Sequence, residues 1–368
     1  MNMWGLIIIA VISAYAAGLL YISFRTAGIG FIKKSCGGRK WIAVLLCAAV
    51  YALLTAALAF IWDVFNALIC MLHLYVFWLI CELAAFVVYK IRKTGPARVW
   101  ECAAAFVLCV AYLTYGWFAV HNVRRTEYAF TSPKVTESIR IVQFSDSHIG
   151  ATFDAGGFKE HIETINSLQP DCVVITGDFV DDGTTREQML ASCDALAALK
   201  TKYGVFLVWG NHDRGYYKES RRGWSYSDLR GRLIENGVTV LEDENVLIGD
   251  SYCIVGRRDR SDRSRKSAWA LMQEAEKDRY VIMLDHQPND FDPEAESGAD
   301  LVLCGHTHGG QFIPILHVGE WIGENDLRYG HEKRGDTDFI VSSGISNWEF
   351  KFKTGCFSEI VVIDITPE

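Results

Sequence analysis

Four stretches of this chain, 4–24, 41–62, 64–89 and 102–120, carry almost no charge. Each is close to the ~20 residues that a helix needs to cross a bilayer. A cleaved signal peptide would explain one such run but not four. The sequence is half hydrophobic, and a water-soluble domain of this size has no need for that much apolar surface. Four membrane helices are therefore expected, within an anchor over residues 1–125. Only 7 prolines and 12% aromatic residues exclude a disordered chain. Eleven cysteines without a CxxC pair exclude a small disulfide scaffold or a zinc-finger array.

Charge divides the chain at the same place. Residues 1–125 hold 11 Lys+Arg against 3 Asp+Glu, and residues 126–368 hold 25 against 41. The first part is thus +8, the second −16, and the whole −8. The first and third helix connections are basic: Arg25, Lys33, Lys34, Arg39 and Lys40 in one, Lys90, Arg92, Lys93 and Arg98 in the other. The second is only a turn around Asp63. By the positive-inside rule the basic connections are cytoplasmic, which places everything after residue 120 on the extracytoplasmic face of a multi-pass cell-membrane protein. Arg124 and Arg125, and the odd count of five cysteines in the second part, point the other way. His73 and Glu82 lie in the third apolar stretch, on opposite helix faces at 100° per residue, so an anchor is expected there rather than a relay.

From residue 137 onward, short β-branched runs recur at 139–144, 172–176, 205–208, 281–284, 301–304 and 339–342. They are continuous rather than alternating, which suits strands buried on both faces. Helical stretches at 158–168 and 185–200 can serve as crossovers, and 238–256 reads as hairpin-rich. The expected fold is an α/β sandwich with mixed β-sheets over 126–368.

Metal-ligand residue types follow these runs. The first leads to Asp146-Ser147-His148, the second to Gly177-Asp178 with Asp181 beyond, and the third to Gly210-Asn211-His212-Asp213. His286 follows the fourth and Gly305-His306-Thr307-His308 the fifth. In open α/β sheets, ligands gather beyond the carboxyl ends of the strands, so these sets should converge. Imidazole, carboxylate and amide donors without thiolate suit Mn, Fe or Zn. Seven such donors would exceed one ion and suit two that share a carboxylate. Such a pair holds phosphate oxygens and activates a water. A histidine outside the ligand set, oriented by a carboxylate, could then protonate the leaving oxygen; His212 with Asp213 beside it fits.

In this order, DxH, GDxxD, GNHD, a lone His and GHTH resemble the calcineurin-like metallophosphoesterase superfamily. SDSHIG, DHQPNDF, CGHTHGGQ and YG…VSSGIS look like its membrane-associated bacterial branch, which includes lipid-directed pyrophosphatases and transmembrane metallophosphoesterase-domain proteins. The resemblance covers roughly 137–366. It implies that Asp146, His148 and His308 hold one metal and Asn211, His286 and His306 the other, with Asp178 bridging and His212 as catalytic histidine. Two divalent ions are implied as cofactors, Mn²⁺ foremost and Fe or Zn as alternatives.

The expected substrate is a phosphorylated or diphosphate-linked small molecule or lipid near the membrane. A net −16 argues against nucleic acid. Two segments bear on recognition. Arg257, Arg258, Arg260, Arg263, Arg265 and Lys266 form a cationic island that either grips a phosphate or pairs with neighbouring acids. The aromatic and basic stretch 214–226 is either a lid or a surface loop. A non-enzymatic membrane sensor or assembly partner is the alternative to a hydrolase.

Overall fold

The computed structural model describes residues 3–93, 98–215 and 219–368. The chain divides into two compact units, Met1–Gly116 and Trp117–Glu368. Within the first, the helices Met3–Thr26, Lys40–Ile61 and Val64–Arg92, with the opening turns of Arg98–His121, hold the four uncharged stretches. All four helices are long and apolar enough to cross a membrane. Asp63 caps the third, accepting from the Asn66 amide at 2.8 Å, which is why the second connection is so short. Large apolar side chains such as Phe60, 92% exposed, line the outer faces, a surface suited to lipid and not to water. Glu82 accepts from the Tyr21 hydroxyl and pairs with Arg25, while His73 Nδ1 lies 2.8 Å from the Ile69 carbonyl oxygen. The two ionisable groups are thus held by separate local contacts.

The second unit is an α/β sandwich of two mixed sheets. Its strands are β1 (Arg124–Ser132), β2 (Ile139–Phe144), β3 (Cys172–Thr176), β4 (Gly204–Val208), β5 (Val238–Val240), β6 (Glu244–Ile248), β7 (Tyr252–Gly256), β8 (Tyr280–Leu284), β9 (Leu301–Cys304), β10 (Gly330–Arg334), β11 (Thr337–Val341) and β12 (Glu359–Pro367). One sheet has the order β1-β12-β2-β3-β4-β5 and the other β10-β11-β9-β8-β7-β6. In the first, β2 to β5 are parallel and β12 is antiparallel to β2. In the second, β7, β8, β9 and β11 are parallel, with β6 and β10 as antiparallel edges.

The continuous apolar runs are explained by burial on both sides. Ile141, Val174 and Phe206 meet Ile254, Ile282 and Leu303 between the sheets. Their chain neighbours Val142, Val173 and Leu207 face outward under the helices Ala155–Ser167, Arg186–Leu196 and Tyr226–Glu235. On the other sheet, Val255, Met283 and Val302 lie under Ala268–Glu274 and Phe291–Ser297. Segment 238–256 is where the chain changes sheets: β5 closes the first, and the β6–β7 hairpin opens the second.

The crossover expected to run to residue 200 begins at its Thr185 cap and stops at Leu196. Asn166 ends it from the neighbouring helix, donating to the Ala198 carbonyl at 2.9 Å and accepting from the Lys200 amide at 2.8 Å. Strand β1, unmarked by a continuous apolar run, pairs in parallel over nine residues with β12, which holds the apolar run 360–363. Arg124 and Arg125 therefore belong to an edge strand. The Arg124 guanidinium lies 3.2 Å from the Phe357 ring centroid, and Arg125 pairs with Glu127 at 2.6 Å.

Because Phe206 is sealed between the sheets, Phe206→Ala should lower unfolding free energy by about 3–5 kcal/mol. Leu247→Ala, at an exposed edge position, should change it by less than about 1 kcal/mol. Chemical denaturation followed by near-UV circular dichroism checks both.

Candidate metal centre

The loops after β2, β3, β4, β8 and β9 leave the carboxyl ends of parallel strands and interlock through their backbones. The Asp146 amide donates to the Gly177 carbonyl at 3.0 Å, and the His148 amide to the Asp178 carbonyl at 3.1 Å. Asp213 fixes the next two loops. Its carboxylate accepts from the amides of Asp178 at 2.9 Å, Val180 at 3.1 Å and Gly210 at 2.8 Å. The approach is too close for side chains: a Cβ on Gly177 would stand 2.7 Å from the Gly210 nitrogen, and one on Gly210 2.1 Å from Asp178 Oδ1. Besides the glycines, the donor residues themselves take left-handed backbone conformations. Asp146, His148, Asp178, His306 and His308 have φ of 53°, 37°, 52°, 72° and 50°. Asp and His are among the few non-glycine residues that adopt this region readily.

Two clusters result. Ligand atoms of Asp146, His148 and His308 lie within 4.8 Å of one another, as do those of Asp178, His286 and His306. Asp178 stands between the clusters: its Oδ2 is 3.2 Å from His286 Nε2 and 3.6 Å from His148 Nε2. Its Oδ1 accepts from the His212 amide at 2.9 Å. Asn211, with its side-chain oxygen buried, occupies the same loop as His212. A third cluster joins His148 and His212 to Asp181.

The chemistry of these donors fits divalent cations. His286 Nδ1 is 2.8 Å from the Thr176 carbonyl oxygen and donates to it, which turns Nε2 toward Asp178. His148 Nε2, His286 Nε2 and His308 Nδ1 are buried and make no hydrogen bond among the described residues. Burial and the neighbouring His148 hold His308 well below the usual imidazole range, and burial with His286 brings His306 to about 4. Neutral imidazole is the ligand form. Burial opposes ionisation of Asp178, yet His286, His212 and His148 together hold it well below the usual carboxylate range.

The position expected of Asp213 is corrected by the structure. Its carboxylate is committed to three backbone amides, and the carboxylate beside His212 is that of Asp181. Asp181 Oδ1 lies 3.1 Å from His212 Nδ1, and its Oδ2 lies 3.3 Å from His148 Nδ1. Burial disfavours charge on His212, but Asp178 and Asp181 raise it to about 9. The GDxxD spacing was the signal for Asp181. The ring of Trp348, 5.2 Å from that of His212, comes from the β11–β12 connection, where nothing in the sequence marked it.

The cationic island resolves toward internal pairing. Arg257 is buried and contacts Asp285 at 3.1 Å, Asp290 at 2.6 Å and Glu294 at 3.0 Å. Arg265 also pairs with Asp285, and Arg258 meets Asp262 at 3.3 Å and Asp243 at 3.6 Å. In the stretch proposed as a lid, Arg214 pairs with Asp262 at 2.8 Å. The buried Trp224 donates from Nε1 to the Thr184 carbonyl at 2.8 Å, under the Arg222 guanidinium at 3.7 Å. Residues 216–218 of that stretch lie outside the described residues.

Comparison with known proteins bears on this fold and on its donor clusters. A profile described as calcineurin-like phosphoesterase matches residues 139–310, and the second unit therefore carries a calcineurin-like metallophosphoesterase domain. A Caenorhabditis elegans protein named as a metallophosphoesterase is 28% identical over 73% of this chain and 58% of its own length. A Danio rerio transmembrane protein with metallophosphoesterase domain is 29% identical over 50% of this chain and 43% of its own length. A solved structure from Thermus thermophilus covers 56% of this chain and 90% of that chain at 14% identity, with a TM-score of 0.39. The chain thus spans less than two thirds of either curated relative.

Arg257→Ala would strand Glu294 as a buried acid and leave Asp285 with Arg265 as its remaining guanidinium partner. It should therefore destabilise the domain by about 3–5 kcal/mol, measured by denaturant titration. A phosphate-gripping role would instead appear as a raised KM at unchanged stability.

Proposed function

We propose that this chain is a membrane-anchored dinuclear phosphohydrolase that cleaves a phosphoester or diphosphate bond. The observation that carries the reading is the seat of Asp178 between two histidine-rich clusters, with His212 beside it. In this reading Asp146, His148 and His308 hold one cation, Asn211, His286 and His306 the other, and Asp178 both. Two divalent ions, Mn²⁺ foremost and Fe or Zn as alternatives, would supply electrophilic positions for phosphate oxygens and lower the pKa of a water.

The chain's own residues do the rest. Asp181 holds His212 at Nδ1, which fixes the ring and favours its protonated form. Nε2 is then the atom that delivers a proton to the leaving oxygen. Asp181 also backs His148, so one carboxylate ties the acid to the ligand set. Asp213 acts through the backbone, keeping Asp178 and Asn211 in register.

The proposed substrate is a phosphorylated or diphosphate-linked compound at a membrane surface, such as a phospholipid-type molecule. The anchor restricts the enzyme to that surface, and the acidic domain disfavours nucleic acid. The catalytic domain is proposed to lie on the extracytoplasmic face of the cell membrane. The basic first and third connections support this, while Arg124 and Arg125, exposed at the start of β1, weigh on the other side.

Full-length protein loaded with Mn²⁺ should cleave a chromogenic aryl phosphodiester. His212→Ala should lower turnover by about 10²–10⁴-fold while keeping both ions, and Asp178→Asn should lose metal and turnover together. Metal analysis alongside rates distinguishes them. Wild-type protein that loads two ions yet cleaves no phosphoester or diphosphate would overturn the reading. Protease added to intact cells should cut within 126–368 if the orientation is right, and leave that part whole if it is reversed.

A further inference from the structure

The β9 loop that carries His306 and His308 runs on into segment 312–322, and this segment departs from the rest of the domain surface. Ile313, Ile315, Val318, Trp321 and Ile322 are 48%, 54%, 40%, 74% and 65% exposed. These are five large apolar residues within ten positions, on a domain whose net charge is −16. A soluble protein rarely leaves so contiguous an apolar patch in water. Its polar members are turned to local use: Glu320 accepts from the Arg328 amide at 3.0 Å and meets the His317 ring. The segment thus offers apolar side chains with its one carboxylate engaged.

Its root is tied to the end of the last apolar helix by a short strap inside the same unit. The Ser358 amide donates to the Ala119 carbonyl at 3.0 Å, and Phe357 packs edge-on against Phe118 at 6.2 Å. Four residues back, the Thr354 amide donates to the Gln311 carbonyl at 2.8 Å, and the Ile313 amide to Thr354 Oγ1 at 3.0 Å. Phe312 lies 5.2 Å from Phe350, and Leu316 lies over Gly355. Four steps of no more than about 3.6 Å per residue, with the two hydrogen bonds at either end, place the root of the segment within roughly 20 Å of the last helical turn. That turn is itself aromatic and exposed, with Trp117 and Phe118 at 46% and 47%.

We propose that segment 312–322 dips into the interface of the same bilayer that the four helices cross. Trp321 and the isoleucines enter the boundary between headgroups and acyl chains. Tryptophan is enriched at this depth because its ring is apolar and its N–H is not, and a short apolar protrusion gains affinity in proportion to the area it buries there. The occupant is the lipid bilayer, argued from continuity with a helix long and apolar enough to span it. A consequence follows for the metal centre. His308 sits at the near end of the segment, and its carbonyl accepts from Cys356 Sγ, at 3.4 Å, on the same strap. The centre is thereby held at headgroup level, where a lipid phosphate can reach it without leaving the membrane. The inference rests on the anchorage proposed above and not on hydrolysis.

The test uses full-length protein reconstituted into phosphatidylcholine–phosphatidylglycerol vesicles, with benzophenone-alanine placed singly at Ile315, Trp321, Trp269 or Phe60. Trp269, 64% exposed on the helix Ala268–Glu274, serves as the exposed comparison outside the segment, and Phe60 reports the membrane helices. Illumination should give lipid adducts at Ile315 and Trp321 several-fold above Trp269 and comparable to Phe60. Adducts at Phe60 with only background at Ile315 and Trp321 overturn the interfacial segment and leave the anchor standing. Background at Phe60 as well overturns both. Cross-links from Ile315 or Trp321 to a second copy of the chain, in place of lipid, assign the patch to self-association and overturn it too.

Discussion

One buried carboxylate holds the centre together. Asp213 belongs to neither donor cluster, yet it accepts from the amides of Asp178, Val180 and Gly210, which lie in the loops after β3 and β4. Those loops carry Asp178, Asp181, Asn211 and His212. A backbone that turns sharply at the end of a buried strand leaves amides pointing inward with no ladder partner, and such donors must be satisfied. A single carboxylate does this for three of them and fixes the spacing between the strand ends. The donor geometry is in this sense a by-product of hydrogen-bond satisfaction beneath it.

The double-sided burial of the strands made much of the fold legible in the sequence. When both faces of a strand are covered, every position must be apolar, and the run stands out without any periodicity. For β2, β3 and β9 the runs coincide with the strands residue for residue. The polar residues after five of the runs were legible for the same reason: β2, β3, β4, β8 and β9 are each followed by His, Asp or Asn, a repetition that core packing does not require. Strand β1 escaped because it is defined by its pairing with β12 across the length of the domain. The half-exposed pattern of β1 resembles that of a linker.

One reading of a side chain failed and another stayed open for a common physical reason. Adjacency in sequence says little about adjacency in space where the chain turns tightly. Asp213 follows His212, but the turn after β4 sends its carboxylate under the backbone, while Asp181 arrives beside the ring from another loop. The island around Arg257 left its partners open because Asp285, Asp290 and Glu294 lie 28 to 37 positions downstream, across β8 and the start of the next helix. Burial of a guanidinium this deep demands such partners, but only the folded chain reveals which acids they are.

The left-handed conformations at Asp146, His148, Asp178, His306 and His308 carry one more implication. Each such non-glycine residue costs of the order of 1–3 kcal/mol, which the surrounding sheets must absorb. Glycine at any of these positions would relax the backbone and erase a donor in the same step. Folding alone therefore exerts no pull toward keeping these side chains, and selection for robustness works against them. Their joint presence across separate loops records a demand placed on the chain from outside its own stability.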